Sequence, residues 1–235
     1  MGATFWHRLA YEQELWRKEI SLVAGVDEAG CGPLAGPVVA AAVVFPCSWL
    51  ETGLYTKLRG LNDSKQLTLE EREKFYGIIT AHPEIRYAVA SVDVEMIDRI
   101  NIRQAAWRAM NLALEQLSPQ PQHVLVDGLR IKWLTYPQTA LVQGDARSYS
   151  IAAASVLAKV TRDRVMLEFD KLYPGYGFAE HKGYGTPKHC AAIQERGPCP
   201  IHRRSFSPFR PVETELELFA LKESAGAAKD GAQPN

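Results

Sequence analysis

The sequence predicts an α/β fold on three observations. Five short apolar runs, VAGV (23–26), VVAAAVV (38–44), IRYAVASV (85–92), HVLVDGL (123–129) and ALVQGD (140–145), are rich in β-branched residues and bounded by Gly, Pro or polar residues, as strands are. Stretches whose apolar residues recur at helical spacing lie between and after them. With 235 residues, 46% of them hydrophobic, the chain can bury these runs as one large domain, or as one domain with an appended subdomain.

Residues 7–20 carry Leu9, Tyr11, Leu15 and Trp16 among charges, the pattern of an amphipathic helix bracing the first strand, so 1–20 is read as an N-terminal helical extension. The first strand, Val23 to Val26, leads into Asp27 and Glu28, after which Gly30, Cys31, Gly32 and Pro33 force a tight connection into the second. Thr68 and Glu71 make a capping box for a helix running to about Thr80, which leaves Asn62, Asp63, Ser64 and Lys65 in a loop. That loop is either a solvated turn or a holder of a substrate backbone.

Asp93 opens a long helix patterned by Ile97, Ile100, Ala105, Met110, Leu112 and Leu114 and stopped by Pro119 and Pro121. The fourth strand ends in Asp127 and Gly128, the fifth in Gly144 and Asp145. A helix over 147–172 follows and closes a domain of residues 21–172; its Arg147, Lys159, Arg162 and Arg164 are read mainly as solvated or paired with acids. Residues 173–222 form a basic, helical and turn-rich subdomain, in which 181–210 hold six Lys or Arg and three His against one acid, Glu195. Composition leaves two readings equal there: a phosphate-backbone contact surface, or a charged surface without a ligand. A short helix, Glu213 to Lys222, and a disordered tail, 223–235, end the chain, and no repeat is visible.

The 27 basic and 27 acidic residues cancel, so a polyanion partner must be met by a local patch. Cys31, Cys47, Cys190 and Cys199 form no CxxC pair and no zinc-finger spacing, which fits a reducing cytosol. No apolar stretch approaches the ~20 residues needed to span a bilayer. The start of the chain has charges where a secretory signal needs an apolar centre, and Trp6 where a myristoylation signal needs Ser or Thr. A soluble cytoplasmic protein is expected.

Three of the strands end in an acid at or beside a glycine. Successive strand residues point to opposite faces, so Asp27 and Glu28 serve one site only if the strand ends there and the glycines turn the backbone. Two adjacent acids raise each other's proton affinity unless a cation lies between them. The pair either opens an exposed turn or, with Asp127 and Asp145, holds divalent ions. Four such carboxylates suit Mg²⁺, and two ions about 3.5–4 Å apart can clamp the attacking and leaving oxygens of a phosphoryl displacement. No Cys or His is well placed as a nucleophile beside these acids, which favours direct attack by water, and no Walker A loop is present.

The blocks VAGVDEAGCGPLAGPVVAAAVV, LNDSKQL, VLVDGL, GDARSYSIAAASVLAKVTRDR and HKGYGTPKH, in this order, resemble ribonuclease HII, the type 2 ribonuclease H family. The resemblance implies a ribonuclease H-like fold: a mixed five-stranded sheet flanked by helices, with a small helical C-terminal subdomain. It implies a metal-dependent endoribonuclease, using Mg²⁺ or Mn²⁺ in a two-ion site, that hydrolyses the RNA strand of RNA–DNA hybrids. Such an enzyme also cuts 5′ of single ribonucleotides in duplex DNA, leaving a 3′-hydroxyl and a 5′-phosphate.

The family's four metal-binding acids fall on Asp27, which would bridge the ions, Glu28, Asp127 and Asp145. Its glycine-arginine-glycine turn, which reads the ribose 2′-OH largely through main chain, falls on Gly30, Cys31 and Gly32. Cys31 departs from that pattern, removing an arginine contact while leaving the main-chain donors and acceptors available. Tyr184 falls where a ring stacks on the junction sugar, and Lys65 and Lys182 where phosphates would be met. A monomer without membrane association is expected, with a replication-associated partner left unnamed. A structure-specific DNA nuclease of the same fold, or a non-catalytic hybrid-binding module, are the alternatives.

Overall fold

The computed structural model describes residues 8–209. The chain runs through α1 (Ala10–Trp16), β1 (Val23–Ala29), β2 (Val38–Val44), α2 (Trp49–Thr52), α3 (Leu69–Ala81), β3 (Arg86–Val92), α4 (Val94–Ile100) and α5 (Ile102–Glu115). It continues through β4 (His123–Asp127), β5 (Gln138–Leu141), α6 (Gly144–Arg147), α7 (Tyr149–Leu172), α8 (Phe178–His181) and α9 (Pro187–Arg196). The strands form one mixed sheet in the order β3-β2-β1-β4-β5, antiparallel from β3 to β1 and parallel from β1 to β5. This is the mixed five-stranded sheet that the resemblance implies.

Every residue of β2 is buried. Because side chains alternate between faces, both faces at the sheet centre are covered. The long helix α7 packs on β1 and β2, and α5 packs on β2 and β3. Val23, Ala41, Val43 and Leu125 share an apolar cluster with Ile151, Val156 and Leu157 of α7. Each such side chain removed from water contributes roughly 1.5–3 kcal/mol before entropy is counted. Gly25 lets α7 come this close: a Cβ there would lie 2.3 Å from Ser150 C and 2.4 Å from Ile151 N.

The N-terminal helix does brace this assembly, but it is shorter than 7–20. It covers Ala10–Trp16, and Glu19 at φ 64° turns the chain toward β1. Its buried Glu12 accepts from Ser148 Oγ and Ser150 Oγ, each at 2.6 Å, and from Ser150 N at 3.1 Å, which fastens α1 to the start of α7.

The capping box at Thr68 and Glu71 is formed, and Asp93 caps α4 by accepting from Met96 N at 2.8 Å. The single helix expected after Asp93 is two helices. Asn101, at φ 70°, ends α4 and caps α5 by accepting from Gln104 N at 3.1 Å; its short polar side chain tolerates the left-handed backbone. Two strand ends also differ. β1 does not stop before the acids but runs on to Ala29, pairing Glu28 with Ala40 and Ala29 with Val39. β5 stops at Leu141, not at Asp145; Gln143 at φ 55° leads into the helical turn α6, which carries Asp145.

Of the described residues, those up to Arg203 form one compact unit. The helix expected at Glu213 to Lys222 and the tail 223–235 lie outside the described residues. Among the described residues, no helix is long and apolar enough to cross a membrane.

Gly25→Ala should cost roughly 2–3 kcal/mol, because the atoms it meets are backbone and cannot swing aside. Urea unfolding reads this as a lowered midpoint at constant slope. An unchanged midpoint would mean α7 is not held that tightly against β1.

Candidate active site

The parallel register of β1 and β4 pairs Gly25 with Leu125 and Val26 with Val126. One further step along both strands sets Asp27 beside Asp127. Both acids follow Gly25 and Leu125 by two residues, so both point to the α7 face. On the other side β4 pairs Asp127 with Leu141 of β5, and α6 then brings Asp145 over.

Gly144 N donates to Asp127 Oδ1 at 2.6 Å. A Cβ on Gly144 would meet Ile151 Cδ1 at 2.7 Å and Leu141 Cβ at 3.1 Å, so any side chain there would push Ile151 aside and crowd Leu141. Asp27, Asp127 and Asp145 each offer a carboxylate oxygen within 4.8 Å of the others, the one such metal-capable group among the described residues.

Glu28, next along the strand, is not part of that group, because β1 continues and alternation turns its side chain away. It nevertheless lines the same cleft, of about 150 Å³, which runs from Asp27 past Gly30, Cys31 and Gly32 to Lys65 and Tyr184. Its carboxylate accepts from Cys31 Sγ at 3.5 Å. Burial, then Glu28, pushes the Cys31 thiol up to about 12, so it stays a protonated donor at neutral pH.

The electrostatics are those of crowded acids. Burial, then Glu28 and Asp127, holds the Asp27 carboxyl well above the usual range, although its Oδ1 accepts from Glu28 N at 2.7 Å. Burial raises Glu28 too, with Asp127 adding and Cys31 and Lys65 opposing. Asp145 is pushed up to about 6 by burial, then by Asp127 and Asp63. Lys65 answers this charge: burial acts to lower its pKa, but Asp63, Asp27, Asp145 and Asp127 together raise it.

Two buried arginines hold the connection between β1 and β2. Arg162 of α7 donates to Pro37 O, Lys182 O and Ala35 O, each at 3.0 Å. Arg203 donates to Gly36 O and Cys31 O at 3.0 Å and to Gly30 O at 2.6 Å. Arg162 was expected to be solvated or paired with an acid, and Arg203 belonged to the candidate phosphate surface. Both instead saturate main-chain carbonyls. The carbonyls of Gly30 and Cys31 are thus engaged rather than available, and the turn has its amides and Gly32 left to offer.

A Cβ on Gly30 would lie 2.1 Å from Arg162 Nε, and at φ 101° the position needs glycine on conformational grounds as well. Tyr184 stands beside the turn, 46% exposed, with Cε1 3.6 Å from where a Gly32 Cβ would be. Lys182 is placed apart from the cleft: its ammonium donates to Ala179 O. Lys188 and Arg196 are ion-paired with Glu180 and Glu195, so much of the basic segment is already engaged.

Some residues at the site escaped the reading of the sequence. Ser155, joined Oγ to Oγ at 2.9 Å with Ser64 of the candidate loop, lines the cleft with Lys159, which pairs with Asp163 at 2.6 Å. Arg8 donates to the main-chain oxygens of Leu61 and Asp145 and ties the Asn62–Lys65 loop to α6. For Arg162 a signal existed: Ile151, Ser155, Ala158, Arg162 and Met166 make one buried helical stripe, and a charge on such a stripe is an inward one. For Arg203 there was none.

The family model described as Ribonuclease HII matches residues 24–208. The chain is 48% identical to the ribonuclease HII of Anaeromyxobacter sp. (strain Fw109-5), over 98% of this chain and 72% of that one. It is 50% identical to that of Geobacter metallireducens, over 83% of this chain and 91% of the relative. The crystal structure of the ribonuclease H2 from Pyrococcus horikoshii OT3 superposes with a TM-score of 0.66 at 30% identity, covering 85% of this chain and 99% of that one.

A mixed sheet whose central parallel strands bring together two acids, joined by a third from α6 in a group able to coordinate metal, thus defines a ribonuclease H-like nuclease. The chain belongs to the ribonuclease HII family. It is an endoribonuclease of the ribonuclease H type, with RNA–DNA hybrids as its substrate class.

Asp27, Glu28 and Asp145 hold protons more tightly folded than unfolded, Asp145 with a folded value of about 6. That contribution to stability is complete below the unfolded value, about pH 4, and lost as pH rises through the folded values. A divalent cation bound between the acids removes the loss. Saturating Mg²⁺ should therefore raise the melting temperature by roughly 2–5 °C at pH 8 and by clearly less at pH 5, with chelator reversing it. Equal shifts at both pH values would contradict this account of the acids.

Proposed function

We propose that the chain hydrolyses the phosphodiester on the 5′ side of a ribonucleotide, both in RNA–DNA hybrids and at single ribonucleotides in duplex DNA, leaving a 3′-hydroxyl and a 5′-phosphate. The observation that carries this reading is that Asp27 belongs both to the acid cluster with Asp127 and Asp145 and to the cleft that holds Glu28, the Gly30–Gly32 turn and the exposed ring of Tyr184.

The donor set fits Mg²⁺ or Mn²⁺: oxygen ligands alone, no thiol or imidazole among them, and carboxylates whose raised proton affinity marks a missing positive charge. Asp27, Asp127 and Asp145, with Glu28 beside Asp27, would hold the ions. When bound, the ions supply Lewis acidity and charge neutralisation at the attacked phosphodiester.

The residues of the chain do the rest. Gly144 N and Glu28 N orient the carboxylates of Asp127 and Asp27. Lys65, drawn toward the acids, offers an ammonium to a substrate phosphate at the same edge of the cleft. The turn at Gly30–Gly32, fixed from behind by Arg162 and Arg203, presents bare main chain at close range, which suits a 2′-hydroxyl and tells RNA from DNA. Tyr184 meets the neighbouring sugar with its ring face. Lys182, turned back onto Ala179, is left out of this assignment.

Asp127→Asn keeps an acceptor for Gly144 N while removing a ligand charge, so the fold should persist with an equal or higher melting temperature. Cleavage of a duplex with one embedded ribonucleotide should fall by on the order of 100-fold or more. Gel analysis with Mg²⁺ checks this, with an all-DNA duplex that should stay intact. Full activity in Asp127→Asn, or cutting of the all-DNA duplex, would sink the assignment.

A further inference from the structure

Three histidines that the acid site does not use are buried together beside Tyr184: His181, His189 and His202. His181 and His189 stack with centroids 4.3 Å apart, and Phe178 sets its edge against both.

Their hydrogen bonds fix where each proton sits. A main-chain amide only donates, and Cys199 N donates to His202 Nδ1 at 2.9 Å, closer than the 3.3 Å from that nitrogen to Cys199 O, so Nδ1 carries the lone pair. His202 therefore holds its proton on Nε2, which faces His189 Nε2 at 3.1 Å. His189 must accept there, so its own proton is on Nδ1, and Nδ1 donates to Tyr184 O at 2.9 Å. A directed relay results, from Cys199 through His202 and His189 to the carbonyl of Tyr184. Burial, which disfavours the charged imidazole, keeps His189 in the neutral form this relay requires. His181 forms a separate bracket, accepting from Gly183 N at 3.2 Å and donating to Tyr176 O at 2.8 Å.

The relay ends on the one residue of this segment whose ring stands over the cleft. Tyr184 lies between Gly183, at φ 84°, and Gly185, two residues that do little to set the direction of the chain. Its peptide is held instead by Tyr184 N to His181 O at 2.9 Å, Thr186 N to Tyr184 O at 2.8 Å, and His189 Nδ1. Thr186 is the N-cap of α9, and His189, fully buried on that helix, adds the one tie among these that a side chain makes.

We infer that His189, its tautomer locked by His202, is a positioning residue that aims the Tyr184 ring at the sugar following the ribonucleotide. The inference rests on the proposed reading of Tyr184 as the junction contact. It assigns His189 a share in substrate preference and none in the chemical step.

Two conservative variants separate the roles of the two ring nitrogens. In His189→Asn the amide NH₂ takes the place of Nδ1–H and can still donate to Tyr184 O, but the link to His202 is lost. In His189→Gln the amide reaches the place of Nε2, keeping a partner for His202 and abandoning Tyr184 O. The readout is the ratio of kcat/KM on a duplex with one ribonucleotide followed by DNA to kcat/KM on a uniform RNA–DNA hybrid. The folded fraction cancels from this ratio, so simple destabilisation does not move it.

The ratio should stay near wild type in His189→Asn and fall roughly tenfold in His189→Gln, approaching that of Tyr184→Ala. Equal ratios in the Asn and Gln variants, with Tyr184→Ala clearly lowered, overturn the inference and leave the reading of Tyr184 standing. A wild-type ratio in Tyr184→Ala overturns both.

Discussion

The structure is built around a repulsion. Register alone, Gly25 against Leu125 and Val26 against Val126, forces Asp27 and Asp127 side by side, and α6 adds Asp145 within 4.8 Å. At an effective dielectric near 20, each fully ionised pair at such a separation costs roughly 3 kcal/mol. A fold only 5–15 kcal/mol more stable than its unfolded chain tolerates that in few places. Here the sheet leaves no choice, because the parallel strands carrying the acids are also the centre of the core. Gly144 N, Glu28 N and Ala146 N point at the three carboxylates, and Lys65 leans toward them. These dipoles and one exposed ammonium soften the crowding without cancelling it, and the uncancelled remainder is an affinity for cations.

A second constraint is that the parts meeting the substrate sit far apart in sequence yet must hold fixed positions relative to these acids. Arg162 and Arg203 do this. Each spends its donors on carbonyls of residues 30–37, and Arg162 adds Lys182 O. Burial, then Arg162, lowers Arg203 to about 9, still protonated at neutral pH. A guanidinium buried this way is costly unless most of its N–H groups find partners. The loop is therefore held in the one shape that supplies them. Replacing either arginine by an apolar residue would strand several buried carbonyls at once.

How much of this was legible follows from the range of each interaction. The acids showed themselves because each lies at or just beyond an apolar run with a glycine within two residues, a local pattern that strand and turn chemistry explain. The capping box at Thr68 and the cap at Asp93 were equally local. The extension of β1 through Ala29 was not, because it depends on β2 lying alongside. Nor was the short β5, whose end is set by Gln143 taking a left-handed backbone usually left to glycine or asparagine. The split at Asn101 had a visible asparagine but no breaker strong enough to outweigh the surrounding helical pattern. Arg203 was the least legible, since a cation facing five carbonyl contacts and one facing water look the same in a composition count.

Cys31 shows how these levels combine. In place of the arginine that the family pattern puts there, the chain has a thiol that turns toward Glu28 and, with a pKa near 12, brings no charge to the surface. The turn keeps its shape regardless, because that shape is set by Arg162 and Arg203 behind it and by the positive φ of Gly30, not by residue 31. The main-chain recognition proposed for this turn would therefore survive the substitution. A chain with no net charge then draws its attraction for a polyanion from few groups around the cleft, Lys65 foremost, with Lys159 already committed to Asp163. Each phosphate left uncontacted makes binding weaker and less salt-dependent, so this site leans on close fit at one sugar more than on long-range charge. In the proposed reading close fit in turn depends on the ring of Tyr184 being held still, which returns the burden to the buried framework of arginines and histidines rather than to the exposed cations that the sequence puts in view.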